Sequence, residues 1–252
     1  MIEHLLVERS GPRLKLTMNR PERRNAITVA MYAALADAIE GAAGDDDVRV
    51  ITLEGAGEDF TAGNDLGDFL NALPQDGSDI PVWRLLRALA RNMVPLVAAV
   101  HGNAVGIGTT MLFHCDLVVA EEGSRFHMPF TDLGLVPEAA SSLILPRLAG
   151  RRVAARHLLL GEPFGVEEAE RYGLVSHRAA AGRLTERLDA VVTALLAKPP
   201  EALRLTQRLL RGPSQEDALE RMDLENGHFA ERLQSAEVKA AIAAFFSARA
   251  KA

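Results

Sequence analysis

The 252 residues are 48% hydrophobic and 25% charged, and the formal net charge is −6 at pH 7. These values are typical of a folded globular protein and exclude a disordered chain. A single cysteine, Cys115, excludes a disulfide framework within the chain, and 20 glycines with 12 prolines are too few for collagen. The acidic balance does not provide the basic surface that nucleic-acid binding requires, so we expect no nucleic-acid partner.

The sequence carries no signal for a membrane or for secretion. No apolar run approaches the roughly 18 residues of a membrane helix, the longest being 93–100 and 104–113. Glu3 and Glu8 stand where a secretion signal would carry basic residues. Because Cys115 has no partner, a reducing compartment is favoured. We therefore expect a cytoplasmic protein that does not bind membranes.

The first two-thirds of the chain predict strands alternating with helices. Strands at 4–9 and 13–18 flank Gly11-Pro12 and predict a hairpin. Thr28 is a suitable N-cap for a helix over 29–43. Further strands are predicted at 48–53, 96–100, 116–120 and 125–128, and further helices at 82–92 and 109–113. This alternation is typical of an α/β fold.

Beyond residue 183 or so the pattern is helical only. Amphipathic helices are predicted over 184–197, 200–210, 215–233 and 236–248. Ser214 with Asp217 resembles a capping box at the start of the third of these. We therefore predict an α/β core over residues 1–190 and a C-terminal helical region over 191–252.

Two glycine-rich loops each follow a buried strand and precede a helix. They are Ala62 to Leu66 and Gly102 to Gly108. The free backbone N–H groups at a helix start point outward and attract negative charge. Two such loops that face one point would give two donors to one oxygen, which is the geometry of an oxyanion hole. Either loop alone is more simply a strand-to-helix turn, so this hypothesis depends on the pair.

Glu138 is the candidate acid-base residue. It follows Pro137, which suits the first turn of a helix. Its neighbours from Leu133 to Ala140 are apolar or small. Burial in such surroundings would raise the pKa of the carboxyl group, and a raised pKa suits proton transfer to carbon. A carboxylate on the surface at a helix start is the simpler alternative.

Other site types are disfavoured. Gly106 and Gly108 form part of a dinucleotide fingerprint, but Met111 stands where the third glycine belongs. No Gly-x-Ser-x-Gly motif of a serine hydrolase is present. His101, His114 and His127 are not spaced as metal ligands, so we expect no metal site.

Several motifs together point to one enzyme family. They are Asn19-Arg20-Pro21 with Asn25-Ala26, Phe60 to Leu66, His101 to Gly108 with Cys115-Asp116, and Phe126 to Ser142. Through them the sequence resembles the crotonase superfamily of enoyl-CoA hydratases and isomerases. It is most similar to the peroxisomal-type Δ3,Δ2-enoyl-CoA isomerases. The resemblance implies a crotonase-like (ClpP/crotonase) α/β spiral of ββα units, whose C-terminal helices assemble a homotrimer or a hexamer.

The resemblance also assigns roles to single residues. The amides of Asn64 and Ile107 would hold the thioester oxygen, and Glu138 would be the catalytic acid and base. The positions that match substrate-binding residues of the family are Arg24, Ala26, Ala62, Gly63, Asp65, Leu66, Gly106 and Phe130. Coenzyme A would enter as part of an acyl-CoA thioester substrate, and no separate cofactor is implied. The segment 71–81 with Phe69, Leu70 and Trp83 would border the acyl chain.

Two departures from the hydratase pattern indicate the subclass. Hydratases that resemble crotonase use two glutamates, and those positions match Thr110 and Phe130 here. Neither side chain can act as a carboxylate, whereas Glu138 matches the single catalytic glutamate of the isomerases. The resemblance therefore implies that a double bond moves from C3 to C2 through a dienolate. A hydratase that uses Glu138 with another partner, and an acyl-CoA-binding protein without turnover, are the alternatives.

Overall fold

The computed structural model describes residues 4–71 and 81–249. The strands are β1 (Leu5–Ser10), β2 (Arg13–Met18), β3 (Val50–Gly55), β4 (Leu96–Val100), β5 (Asn103–Val105), β6 (Leu117–Glu121), β7 (Arg125–His127), β8 (Phe164–Gly165) and β9 (His177–Ala179). The helices are α1 (Val29–Ala43), α2 (Leu66–Asn71), α3 (Pro81–Arg91), α4 (Ile107–Thr110), α5 (Ser141–Ala149), α6 (Arg151–Leu159), α7 (Val166–Tyr172), α8 (Leu184–Leu196), α9 (Pro200–Leu233) and α10 (Ala236–Arg249).

Within the described residues the strands form a larger and a smaller sheet. The larger has the order β1-β2-β3-β4-β6-β9, and the smaller has the order β5-β7-β8. β1 and β2 pair antiparallel with Leu5 opposite Met18, which confirms the predicted hairpin. From β2 to β9 the larger sheet is parallel. The prediction of an α/β fold is confirmed.

Apolar cores cover both faces of the larger sheet, which explains the continuous apolar sequence of β4. In β4, Leu96, Ala98 and Val100 belong to the main core with α1 and α3. Val97 and Ala99 belong to a second core, which α8 covers. Since neighbouring side chains of a strand point to opposite faces, every residue of this strand is buried.

The helix starts show which local signals decide the structure. Thr28 caps α1 as predicted, because its Oγ1 accepts a hydrogen bond of 3.3 Å from the amide of Met31.

The prediction of separate helices over 200–210 and 215–233 is wrong, because α9 runs through both ranges. Arg211 bonds to the backbone oxygen of His114 at 2.7 Å, and Gln215 bonds to that of Ala90 at 2.9 Å. These contacts, made at the predicted break and directly after it, therefore keep α9 a single continuous helix.

The C-terminal helices pack against the core of the same chain. Phe229 and Leu233 of α9 and Val238 and Ile242 of α10 are all buried. Arg232 donates a hydrogen bond of 2.8 Å to the backbone oxygen of Gly134. The predicted division at residue 190 stays a prediction. Over the two described ranges, none of the helices has the length and apolar content needed to cross a bilayer.

Candidate active site

The two glycine loops lie side by side because their strands are neighbours. β3 and β4 are adjacent and parallel, so their carboxyl ends bring both loops to one edge of the sheet. The amide of Thr61 donates to the oxygen of Asn103, and the amide of Val105 donates to the oxygen of Thr61, each at 3.0 Å. A Cβ atom on Gly63 would lie 2.6 Å from the oxygen of Val105, and this residue has φ +85°. Glycine is required at this close approach.

Each loop contains amides that donate no hydrogen bond within the described residues, with Asn64 among them in the first loop and Ile107 in the second. The backbone N–H groups of Gly63, Asp65 and Gly106 donate within the chain. Among the residues that the structure describes, those of Asn64 and Ile107 have no acceptor. Both residues line the same cavity, whose volume is about 450 Å³. Because unpaired N–H groups are rare in folded proteins, the pair suits an oxygen of a bound ligand.

The cavity brings together the eight positions that match substrate-binding residues of the family. Its lining includes Arg24, Ala26, Ala62, Gly63, Asp65, Leu66, Gly106 and Phe130. The apolar part of the wall comes from distant segments, namely Leu133, Leu135, Phe229, Leu233 and Ile242. The lining thus combines polar and charged residues with a set of apolar side chains. This combination suits a ligand that has a charged part and a hydrocarbon part.

The cationic rim is formed by Arg23 and Arg24. The side chain of Arg24 is 72% exposed, and its Nε lies 3.8 Å from Oδ2 of Asp59. Two exposed guanidinium groups beside a cavity can bind a phosphate. The neighbouring Asn25 is buried and donates to the oxygens of Ala56 and Asp59, each at 2.7 Å, so this part of the motif is structural.

Asp65 is fixed by an ion pair. Arg20 Nη1 lies 2.6 Å from Asp65 Oδ2 and also donates to the oxygen of Ala26. Burial alone would raise the pKa of Asp65, but the hydrogen bond and charge of Arg20 together with the backbone amides of Asp68 and Gly67 outweigh it, and the pKa lies below its ordinary value. Asp65 is therefore an anchor of the loop and a poor proton acceptor.

Glu138 does not lie in the first turn of a helix, and that prediction is wrong. α5 begins only at Ser141. Between them, Ala139 and Ala140 have left-handed backbone conformations, with φ of 59° and 56°. The imidazole of His114 bonds to the oxygen of Ala139 at 2.8 Å. This contact comes from a residue distant in sequence, which local patterns cannot show.

The Glu138 side chain is buried and is only 2% exposed. Burial first, and then the charge of Glu225, raise the pKa of Glu138 to about 8, while the Thr110 hydroxyl opposes part of this rise. Among the described residues, the buried Oε1 atom of Glu138 has no hydrogen-bond partner. A buried carboxyl group with such a pKa can accept and return a proton near neutral pH.

Glu138 adjoins the cavity but is not part of its lining. Ile107 lines the cavity, and Thr110, three residues later on α4, lies beside Glu138. The short helix α4 therefore contains both a residue of the cavity lining and a neighbour of the Glu138 carboxyl group.

Tyr32 provides a second connection between Glu138 and the loops. Its hydroxyl donates to Oδ1 of Asn64. Burial, with a smaller contribution from the charge of Glu138, raises the pKa of Tyr32 well above its ordinary value. No sequence signal marks Tyr32 as a site residue, because it lies within the helix predicted over 29–43 and belongs to none of the motifs.

The positions of the hydratase glutamates contain no acid in this site. Phe130 is on the cavity wall, and Thr110 is buried beside Glu138. Within the described part of the wall, the carboxylates are Asp65, which is paired with Arg20, and Asp132, which is exposed. The buried base at Glu138 therefore has no matching buried carboxylate in the cavity lining.

Some predicted features lie elsewhere or outside the described residues. Trp83 is buried in the core and does not line the cavity. The side chains of Phe69 and Leu70, and residues 72–80, lie outside the described part of the chain. Over the described residues, no group of three or more His, Cys, Asp or Glu side chains is placed to hold a metal ion.

Comparisons with known proteins identify the family of this chain. The sequence profile of the enoyl-CoA hydratase/isomerase family matches residues 11–251. Enoyl-CoA delta isomerase 2 of Rattus norvegicus is 35% identical over 82% of this chain and 54% of its own length. The 2,3-dehydroadipyl-CoA hydratase of Escherichia coli is 33% identical over 87% of this chain and 86% of its own length.

Solved structures extend the agreement to the fold. An enoyl-CoA hydratase/isomerase from Pseudoalteromonas atlantica T6c is 41% identical and aligns over 97% of each chain, with a TM-score of 0.92. The crotonase-like fold predicted from the motifs is thereby confirmed.

Proposed function

Because the chain belongs to the enoyl-CoA hydratase/isomerase family, we propose that it is a Δ3,Δ2-enoyl-CoA isomerase of the peroxisomal type. It moves a double bond from C3 to C2 of an acyl-CoA thioester. The observation that supports this proposal is the buried carboxyl group of Glu138, with Thr110 and Phe130 at the positions where hydratases have glutamates. One carboxyl group is sufficient for isomerisation, because the same group can remove a proton from C2 and deliver a proton to C4.

The reaction begins with the thioester oxygen held by the amides of Asn64 and Ile107. Glu138 removes a proton from C2 of the 3-enoyl thioester, and the electron pair delocalises into a dienolate whose charge lies on that oxygen. Each amide donor stabilises the transition state by about 3 kcal/mol. Glu138 then delivers the proton to C4, and the double bond lies between C2 and C3. No electron or group leaves the substrate, so the reaction needs no cofactor.

The polar and the apolar residues of the lining correspond to the two parts of such a substrate. Arg23 and Arg24 at the rim would bind phosphates of the coenzyme A portion, which is anionic. The apolar wall would hold hydrocarbon, because burial of apolar surface favours binding. For assembly we propose a homotrimer or a dimer of trimers, which is supported by the exposed side chains of Leu209 and Leu210 on α9.

Hydration is the second candidate, since a hydratase is among the relatives. In that reaction Glu138 would activate water for attack on C3 of a 2-enoyl-CoA. A second acid would have to protonate C2, and the described part of the cavity lining offers Asp65 and Asp132 for this step. A protein that binds acyl-CoA without turnover is the third candidate.

One experiment separates the three candidates. The purified protein receives 3-enoyl-CoA or 2-enoyl-CoA in deuterated water, and ¹H NMR follows each substrate. We expect migration of the double bond, exchange at C2 and C4, and no 3-hydroxyacyl-CoA. Formation of 3-hydroxyacyl-CoA would support hydration instead. Tight binding without exchange would support a binding protein.

The matched variants test the base. Glu138→Gln has nearly the same shape but cannot accept the proton, so we expect isomerisation to fall by about 10³-fold while acyl-CoA binding is retained. Glu220→Gln removes an exposed charge from α9 and should behave as the wild type. Full activity of Glu138→Gln would contradict the assignment.

A further inference from the structure

The turn that follows Glu138 has a backbone that its own residues do not favour. Ala139 and Ala140 are consecutive alanines in the left-handed region. An L-residue with a Cβ atom is strained there, and such strain persists only where the surroundings enforce it. Contacts from outside the turn must therefore hold the backbone from which Glu138 extends.

Glu225 of α9 supplies most of these contacts. Its Oε2 accepts a hydrogen bond of 2.6 Å from the amide of Ala140. Its Oε1 accepts bonds of 3.0 Å from the amide of Ser142 and 2.5 Å from the hydroxyl of Ser142. The bonded amides belong to the start of α5, where a helix has no acceptors of its own. Both oxygens of Glu225 are thus occupied, so this carboxylate is unsuited to take a proton from substrate.

We propose that Glu225 is a positioning residue for the isomerisation inferred above: it holds the Ala139–Ala140 turn and places a fixed negative charge beside the Glu138 carboxyl group. The proposal assigns a role in proton transfer to the C-terminal helix α9, 87 residues beyond Glu138 in the sequence. His114 supports the same turn from the opposite side through the oxygen of Ala139.

The charge of Glu225 has a direct effect on Glu138. A neighbouring negative charge disfavours the ionised carboxylate, and the pKa of Glu138 is raised partly for this reason. Burial lowers the pKa of His114 to about 4, so this imidazole is neutral at physiological pH. The titratable or charged groups around Glu138 and its turn are Tyr32 on α1, His114 after α4, and Arg211, Arg221 and Glu225 on α9.

The test compares Glu225→Gln with Glu220→Gln, a control on the same helix whose side chain is exposed. Protein labelled with ¹³C at the glutamate δ-carbon is titrated by NMR, and the Glu138 resonance is identified by its absence from Glu138→Gln. In Glu225→Gln we expect the Glu138 midpoint to move to lower pH by about one pH unit. We also expect kcat to fall about tenfold while KM changes less than about twofold, because the base is misplaced and substrate contacts remain. The control should match the wild type in both measurements.

A purely structural role would give a different result. If Glu225→Gln lowers the melting temperature while the Glu138 midpoint and kcat stay at wild-type values, the proposal is wrong. If the variant does not fold, both measurements are made in an Ala140→Gly background, since glycine adopts the required φ without strain. If the wild type does not isomerise 3-enoyl-CoA, the proposed function fails, but the titration of Glu138 still decides the role of Glu225.

Discussion

The two corners of the site are built in opposite ways. In the loop corner, Asn64 and Ile107 offer backbone donors, and the local requirements of Gly63 and Gly106 shape the chain. In the base corner, Glu138 offers a side-chain acceptor, and contacts from distant segments shape the chain. Backbone hydrogen-bond donors can therefore be fixed in place by local backbone geometry. A base whose pKa must be raised needs burial, and burial requires partners from elsewhere in the fold.

Within the described residues, each corner also contains a polar group without a hydrogen-bond partner. The loop corner has donors and the base corner has an acceptor. Unpaired N–H groups stand in the loop corner, and an unpaired carboxyl oxygen stands in the base corner. Leaving such groups unpaired costs stability until a ligand satisfies them. An enolising thioester fits both corners, because its oxygen gains negative charge while its carbon loses a proton.

The prediction with the greatest magnitude concerns the free energy of unfolding that is lost because the Glu138 carboxyl group is buried. Glu138 has a pKa of about 8 in the folded protein and an ordinary value of 4.5. Since its folded-state pKa is raised, the wild type loses stability as the pH rises from about 4.5 to about 8. We therefore expect Glu138→Gln to be more stable than the wild type above pH 8 by at most about 5 kcal/mol, and the difference to vanish near pH 4. Urea unfolding at several pH values measures this, and a difference independent of pH would show that Glu138 is not desolvated.

The next prediction concerns a substitution that changes the loop corner alone. In Gly63→Ala the new Cβ would lie 2.6 Å from the oxygen of Val105, so the loops must separate and the Asn64 amide must move. We expect kcat/KM to fall by about 10²–10³-fold, as after loss of an oxyanion donor. The Glu138 midpoint should stay near 8. Gly41→Ala is the control, because a Cβ there meets nothing within 4 Å. Wild-type kcat/KM in Gly63→Ala would show that the contact between the loops is not needed.

The smallest effect concerns the residue that contacts both corners. Tyr32→Phe removes the hydrogen bond to the Asn64 side chain but keeps the aromatic packing. We expect kcat to fall about tenfold, the equivalent of one hydrogen bond. Tyr172→Phe is the control, because its hydroxyl bonds to Glu168 outside the cavity. Equal rates for the two variants would mean that the corners work independently of Tyr32.

The sequence predicts what depends on local pattern. The hairpin, the capped helix α1 and the burial of β4 follow from turn residues, Thr28 and apolar runs. The substrate-contact residues share a cavity because their motifs lie in loops that follow adjacent parallel strands. The start of α5 and the continuity of α9 could not be predicted, since contacts of Glu225 and Gln215 across the fold override the local signals. Tyr32 and Glu225 were missed for the same reason.

The length of α9 has a consequence for the timing of biosynthesis. A nascent chain that has left the ribosome as far as α8 already contains both glycine loops and Glu138. It contains neither Glu225 nor the cavity wall at Phe229 and Leu233, all of which belong to α9. Turnover should therefore begin only after α9 has docked. An unfinished polypeptide is expected to be inactive, although it already contains the amides of Asn64 and Ile107 and the carboxyl group of Glu138.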